Sequence, residues 1–245
     1  MPPAYGERDL AEYRARMEAL RTSFSPPPPT EPGAYEANTD GACLTNPSGP
    51  GGWAAVVEHL GAAGQVWELW GHLSSTSNNR AEALGVLAAV EWVPRGSGLL
   101  VRSDSELTVN VLSGRYKAKA NMDVWAEIRR LIQEKALMLQ PQWIRGHAGD
   151  PGNERADALS VLGAVNGDEE RWQRLRGVAA ARAEQPRRRP EPAGVPAELE
   201  GLVPRGAWER SFLNSVAKQL RAGRALSEKQ QAVVERIRSG QRRPA

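Results

Sequence analysis

One cysteine, Cys43, among 245 residues excludes an intrachain disulfide and makes a reducing, cytoplasmic setting the expectation. Long apolar runs are missing too. Nothing approaches the ~18 consecutive apolar residues that a membrane-spanning helix needs, so no membrane partner is expected. Met1 to Arg8 lacks the apolar run after a basic start that marks a leader. Charge of one sign is also scarce overall, at a net +3, but it is unevenly placed. Residues 35–165 hold 11 Lys and Arg against 14 Asp and Glu, whereas residues 166–245 hold 17 against 10. A basic end with clustered arginines fits a polyanionic partner such as nucleic acid.

What is present is enough apolar residue, 40%, for a real core, interrupted twice by proline-rich stretches. Four parts are expected: an N-terminal helix and Pro-rich linker over 1–34, a main domain over 35–165, a basic flexible linker over 166–200 and a helical extension over 201–245. Leu10, Tyr13, Met17, Leu20 and Phe24 recur at helical spacing over 7–24, and Pro26 to Pro29 with Pro32 read as a stiff linker. Three antiparallel strands follow at Tyr35–Leu44, Gly52–Leu60 and Gln65–Ser74, the last two joined through Gly61 to Gly64. A helix over Asn79–Val93 stops at Pro94. Then come a strand over Ser97–Asp104, helices over Ser105–Ser113 and Asp123–Leu139, a strand over Gln140–Arg145 and a helix over Asn153–Val165. This order predicts an α/β sheet with an antiparallel edge and parallel strands beyond it. Trp208, Phe212, Val216 and Leu220, then a break at Gly223, then Leu226, Val233, Val234 and Ile237 predict a small helical hairpin.

Four short stretches each bring one acid in a polar setting to the edge of an apolar element. They are Asn38-Thr39-Asp40-Gly41, Asn78-Asn79-Arg80-Ala81-Glu82, Arg102-Ser103-Asp104-Ser105, and the run from His147 through Asn153 and Glu154 to Asp157. A lone Asp before Gly is ordinarily a turn residue or a cap. Recurrence in four places makes a candidate metal site. Carboxylates are hard ligands, suited to Mg²⁺ or Mn²⁺ rather than to zinc, which favours Cys and His. Four acids suit a pair of ions ~4 Å apart, able to hold an attacking water and the leaving oxygen of a phosphodiester together. Without ions the acids would repel one another.

Taken together, Asp40-Gly41-Ala42-Cys43 with Asn46-Pro47, Asn78 to Glu82, Ser103-Asp104-Ser105, and His147-Ala148-Gly149 with Asn153 to Asp157 resemble the signature of type 1 ribonuclease H. The resemblance covers 35–165. It implies a ribonuclease H-like five-stranded mixed sheet, order 3-2-1-4-5, flanked by helices, and a two-metal endonuclease that cuts the RNA strand of RNA–DNA hybrids to leave 3′-hydroxyl and 5′-phosphate ends. On that reading Asp40 bridges both Mg²⁺ ions, Asp157 shares the ion that activates water, and Glu82 and Asp104 hold the ion on the leaving-group side. His147 would help proton movement or product release. Asn46, Asn79, Glu82 and backbone near Cys43 would contact 2′-hydroxyls, and Ser77, just ahead of Asn78, would seat a DNA-strand phosphate. Cys43 itself reads as a small buried residue, not a nucleophile.

Two features depart from the family pattern. The long basic insertion of many bacterial members is short here, Gly114 to Asn121, keeping Arg115, Lys117 and Lys119 with Tyr116. The first strand carries Glu36 and Asn38 where an apolar run is expected, although alternation still puts Tyr35, Ala37 and Thr39 on one face. The basic end, with Arg187 to Arg189, Lys218, Arg221, Arg224, Arg236 and Arg238, is expected to compensate for the shortened grip or, as the alternative, residues 200–240 form a protein-interaction hairpin, in a monomer. A junction or strand-transfer nuclease of the same fold would lack the paired Asn and the His147-Ala148-Gly149 signatures. A non-catalytic nucleic-acid-binding module would have lost an acid.

Overall fold

A computed structural model describes residues 6–61, 65–184, 196–202, 207–221 and 225–239. The chain divides into two compact units, Met1–Ala180 and Ala181–Ala245. The first is built on strands β1 (Ala34–Cys43), β2 (Gly49–His59), β3 (Val66–Thr76), β4 (Gly98–Ser103) and β5 (Met138–Trp143), in the order β3-β2-β1-β4-β5. β1–β2 and β2–β3 pair antiparallel, β1–β4 and β4–β5 parallel. This is the five-stranded mixed sheet expected from the sequence. Helices α2 (Asn78–Trp92) and α5 (Pro151–Ala164) both pack on β1 and β2, and α3 (Glu106–Leu112) and α4 (Met122–Glu134) fill the crossover between β4 and β5. No helix among the described residues is long and apolar enough to cross a membrane.

Alternation along β1 decides where the site can form. Tyr35 and Ala37 enter the main core with Trp53, Val57, Leu84 and Leu87. Glu36, Asn38 and Asp40 alternate with them. The unexpected polarity of this strand is paired in place: Arg102, beside Asn38 on β4, bonds Glu36 at 2.9 Å and Asp150 at 2.6 Å, and Asn38 Nδ2 donates to Glu36. A polar stripe replaces apolar packing there, with Asn38 Oδ1 left buried without a partner.

Helix α1 (Gly6–Ser23) buries Tyr13, Met17 and Leu20 in that core, at the spacing read from the sequence. It also closes the free edge of β3, where Glu12 accepts from Ser74 N and Arg16 Nε donates to the Trp70 carbonyl, both at 2.8 Å. The proline segment expected to be a linker lies against the same strand, its Pro26 and Pro27 carbonyls accepting from Trp67 Nε1. Most consequential is Asp9, fully buried, which takes Arg80 of α2 through both carboxylate oxygens at 2.5 and 3.0 Å. The other side of the same guanidinium is held by Asp123 of α4 at 2.8 and 2.6 Å. Three helices meet on one buried cation.

Three expectations need correcting. Helix α4 ends at Glu134 rather than Leu139, because Ala136 adopts a left-handed backbone (φ 49°) and Lys135 Nζ turns away to donate to the Val90 and Glu91 carbonyls at the end of α2. Strand β5 therefore begins at Met138, earlier than Gln140. The stretch read as flexible linker from residue 166 contains helix α6 (Glu169–Glu184), whose Ala, Arg and Glu residues favour helix without any apolar period to announce it.

The second unit holds the two expected helices, α7 (Ala207–Arg221) and α8 (Glu228–Ser239), after a single 3-10 turn at Ala197–Leu199. Leu199, Leu213, Val216 and Val234 form its core. Of the basic end, Arg238 is engaged within the unit by Glu235 and the Glu198 carbonyl. Arg187 to Arg189, Gly223 and Arg224 lie outside the described residues, as do 62–64 of the hairpin connection and the side chains of Lys218 and Arg221.

Removing one partner of a buried ion pair strands the other. Asp9→Ala is expected to destabilise the first unit by about 3 kcal/mol, the low end for such losses because Asp123 remains on Arg80. Urea denaturation checks this, and an unchanged midpoint would show that α1 does not support α2.

Candidate active site

Four elements deliver the predicted acids to one end of the sheet. Asp40 lies near the end of β1, Glu82 in the first turns of α2, Asp104 directly after β4, and Asp157 in the middle of α5. Each of the first three offers a carboxylate oxygen, and these oxygens all lie within 4.8 Å of one another. Asp157 stands outside this trio, yet its charge raises the pKa of both Asp40 and Glu82.

Such closeness requires helices almost touching backbone. A Cβ on Gly41 would sit 2.1 Å from the Glu82 amide nitrogen, so only glycine lets α2 come down on β1. On the α5 side, a Cβ on Gly52 would meet the Ser160 carbonyl at 2.2 Å and one on Gly163 would meet the Gly71 carbonyl at 2.5 Å. The close seating of α5 brings in Ser160, a residue the sequence reading missed. Its hydroxyl donates to Asp40 Oδ2 at 2.5 Å, with the Asp157 carbonyl as a second acceptor at 2.9 Å. The signal was there: Ser160 is one helical turn beyond Asp157.

Burial and like charge set the electrostatics. Burial pushes Asp40 up to about 6, Asp157 and Asp104 push the same way, and the Ser160 hydroxyl opposes them. Glu82 is driven well above the usual carboxylate range by burial and then by Asp40, Asp104 and Asp157. Asp157 is raised by burial, against the pull of His147 and Arg176. Glu82 Oε2 is buried without a hydrogen-bond partner. Crowded carboxylates with an unpartnered buried oxygen fit a hard divalent cation, so the donor set suits the ions expected from the sequence.

The remaining predicted residues lie at element ends and in the loops between them. His147 is exposed, with φ 51°, in the loop ahead of α5. That loop is anchored by Asp150, which caps α5 at Asn153 N while holding Arg102. Asn46 Oδ1 accepts from Asn78 N at 3.1 Å, tying the loop after β1 to the start of α2. Ser77 occupies the N-cap position of α2, but its hydroxyl makes no cap bond. Cys43 is half-buried rather than buried, its thiol facing the carbonyls of Thr76 at 3.4 Å and Gly49 at 3.7 Å. Arg115, Lys117 and Lys119 are exposed and share with Asn79, Tyr116 and Trp125 a cleft of about 530 Å³.

A mixed sheet of order 3-2-1-4-5, flanked by helices and carrying acids at the end of its central strand, is a ribonuclease H-like fold. Residues 32–165 match the family model described as RNase H, and the chain belongs to that family. Among its relatives is a protein named Ribonuclease H from Polaromonas naphthalenivorans, 34% identical over 157 residues that cover 59% of this chain and 95% of the relative. One of the same name from Granulibacter bethesdensis is 38% identical over 152 residues, covering 56% and 96%. The solved structure of RNase H1 from the halophilic archaeon Halobacterium salinarum is 25% identical, with a TM-score of 0.45, over 54% of this chain and 97% of that one.

The raised pKa of Asp40 fixes the sign of a pH dependence. Between its unfolded value of 3.8 and about 6, the folded protein holds a proton that the unfolded chain releases. The metal-free protein is therefore expected to lose stability as pH rises through this window, and Glu82 extends the loss upward. Asp40→Asn is expected to stabilise the metal-free protein at pH 7 by roughly 1–3 kcal/mol. Thermal unfolding in EDTA between pH 4 and 8 measures both, and a midpoint rising with pH, or lower in the variant at pH 7, would contradict them.

Proposed function

We propose that this protein is a metal-dependent endonuclease that hydrolyses the RNA strand of RNA–DNA hybrids, leaving 3′-hydroxyl and 5′-phosphate ends. The observation that carries the reading is the meeting of Asp40, Glu82 and Asp104 around an unpartnered Glu82 oxygen, inside the residues that match RNase H. Asp40, Glu82, Asp104 and Asp157 would hold two divalent ions, Mg²⁺ or Mn²⁺. When bound, such ions supply an activated water and neutralise charge on the leaving oxygen.

The chain's own groups do the rest. Ser160 fixes the orientation of Asp40 through its hydroxyl. His147, exposed beside Asp157, moves a proton at its imidazole or speeds departure of product. Telling RNA from DNA requires contacts to the 2′-hydroxyl, assigned to Asn46, Asn79, Glu82 and the backbone near Cys43. The Ser77 hydroxyl, left free by the α2 cap, and the start of α2 at Asn78 are suited to a phosphate of the DNA strand. Arg115, Lys117 and Lys119 extend that grip along the cleft by Asn79. The lone cysteine suits work in the cytoplasm.

A labelled RNA–DNA hybrid, tested beside duplex RNA and duplex DNA with and without Mg²⁺, checks this function. Cleavage is expected in the RNA strand of the hybrid and only with Mg²⁺. Asp40→Asn is expected to slow it on the order of a thousandfold, the rate equivalent of several kcal/mol of lost metal stabilisation. Cutting in EDTA, or an active Asp40→Asn, would end the proposal.

A further inference from the structure

Helix α6 begins beyond the matched residues 32–165, yet it docks on the part of α5 that carries Asp157. Trp172 Nε1 donates to the carbonyl of Ala158, the neighbour of Asp157, at 2.8 Å. One turn further on, the Arg176 guanidinium lies over the Trp172 ring, 5.2 Å from its centroid. Arg176 is exposed and, among the described residues, forms no ion pair at contact distance. A guanidinium held over an indole loses less freedom on binding an anion, and its N–H groups suit a phosphate oxygen.

We propose that Arg176 is a substrate-binding residue that takes a backbone phosphate of the nucleic-acid strand passing Asp157. The need for such a cation is physical. A polyanion must approach four acids, with Glu154 a further acid whose charge reaches Asp157. The shortened loop puts its three cations beside Asn79, on the α2 side, and none of them serves the α5 side. Arg176 sits over an indole that is tied to the carbonyl next to Asp157, so its charge is placed on the α5 side. The appended helix thereby supplies part of the grip that the short insertion lacks.

The inference rests on the hybrid-nuclease reading but is tested separately from it. Binding of a labelled RNA–DNA hybrid, kept uncut by replacing Mg²⁺ with Ca²⁺, is measured by anisotropy from 50 to 200 mM salt, for the full chain and for Arg176→Ala, Arg176→Lys and Trp172→Phe. Arg176→Ala is expected to weaken binding about three- to tenfold at the lowest salt and to reduce the slope of log affinity against log salt by about 0.9, one phosphate contact. Arg176→Lys should keep the slope but recover only part of the affinity, and Trp172→Phe, which loses the indole N–H, should fall between wild type and Arg176→Ala. Equal slopes for wild type and Arg176→Ala would overturn the proposal. So would an unchanged slope with a lowered half-saturating Mg²⁺ concentration, which would make Arg176 a partner of Asp157 alone. Failure of the wild-type protein to cut an unmodified hybrid would sink the nuclease reading, while the binding slope would still judge Arg176.

Discussion

Three carboxylate oxygens within 4.8 Å of one another, two of them on buried residues, oppose the fold that assembles them. Neither burial nor mutual repulsion favours this arrangement in the absence of a cation. Whatever holds Asp40, Glu82 and Asp104 together must come from packing elsewhere. The first unit supplies it from both faces of the sheet, with α2 pressed onto Gly41 and α5 pressed onto Gly52 through Gly163. The Ser160 hydroxyl is the one favourable polar contact that this seating gives directly to Asp40.

The same logic accounts for the weight of the structure around Arg80. This side chain is two residues before Glu82 and nearly fully buried, so its place sets how the first turn of α2 is held. Two carboxylates from α1 and α4 close on it, while α1 shields the outer strand of the sheet. Stability and site geometry are thus coupled through one helix, whose start carries both the buried cation and an acid of the cluster.

The fold and the acid cluster were largely legible in the sequence. The mixed sheet followed from alternation and spacing and its strand order from the resemblance, and Asp40, Glu82 and Asp104 meet at a distance compatible with shared ions. What escaped the reading has physical reasons. Ser160 looks like any small helical residue until α5 is seated, because its partner is 120 positions away. Asp9 lies in a helix that reads as an ordinary amphipathic appendage, and a buried ion pair leaves no periodic mark. Helix α6 has helix-forming residues without an apolar stripe, so composition alone suggested a linker. The end of α4 was misplaced because Leu137 and Leu139 continue an apolar pattern across a backbone reversal at Ala136.

The Asp9–Arg80 contact joins a residue outside the matched stretch to the helix that carries Glu82. A fragment trimmed to residues 32–165 would retain every acid of the cluster and every motif by which the family is known, yet lose Asp9 from the buried Arg80 guanidinium and α1 from the outer strand. In this chain, the stretch that identifies the family is shorter than the unit that packs around it.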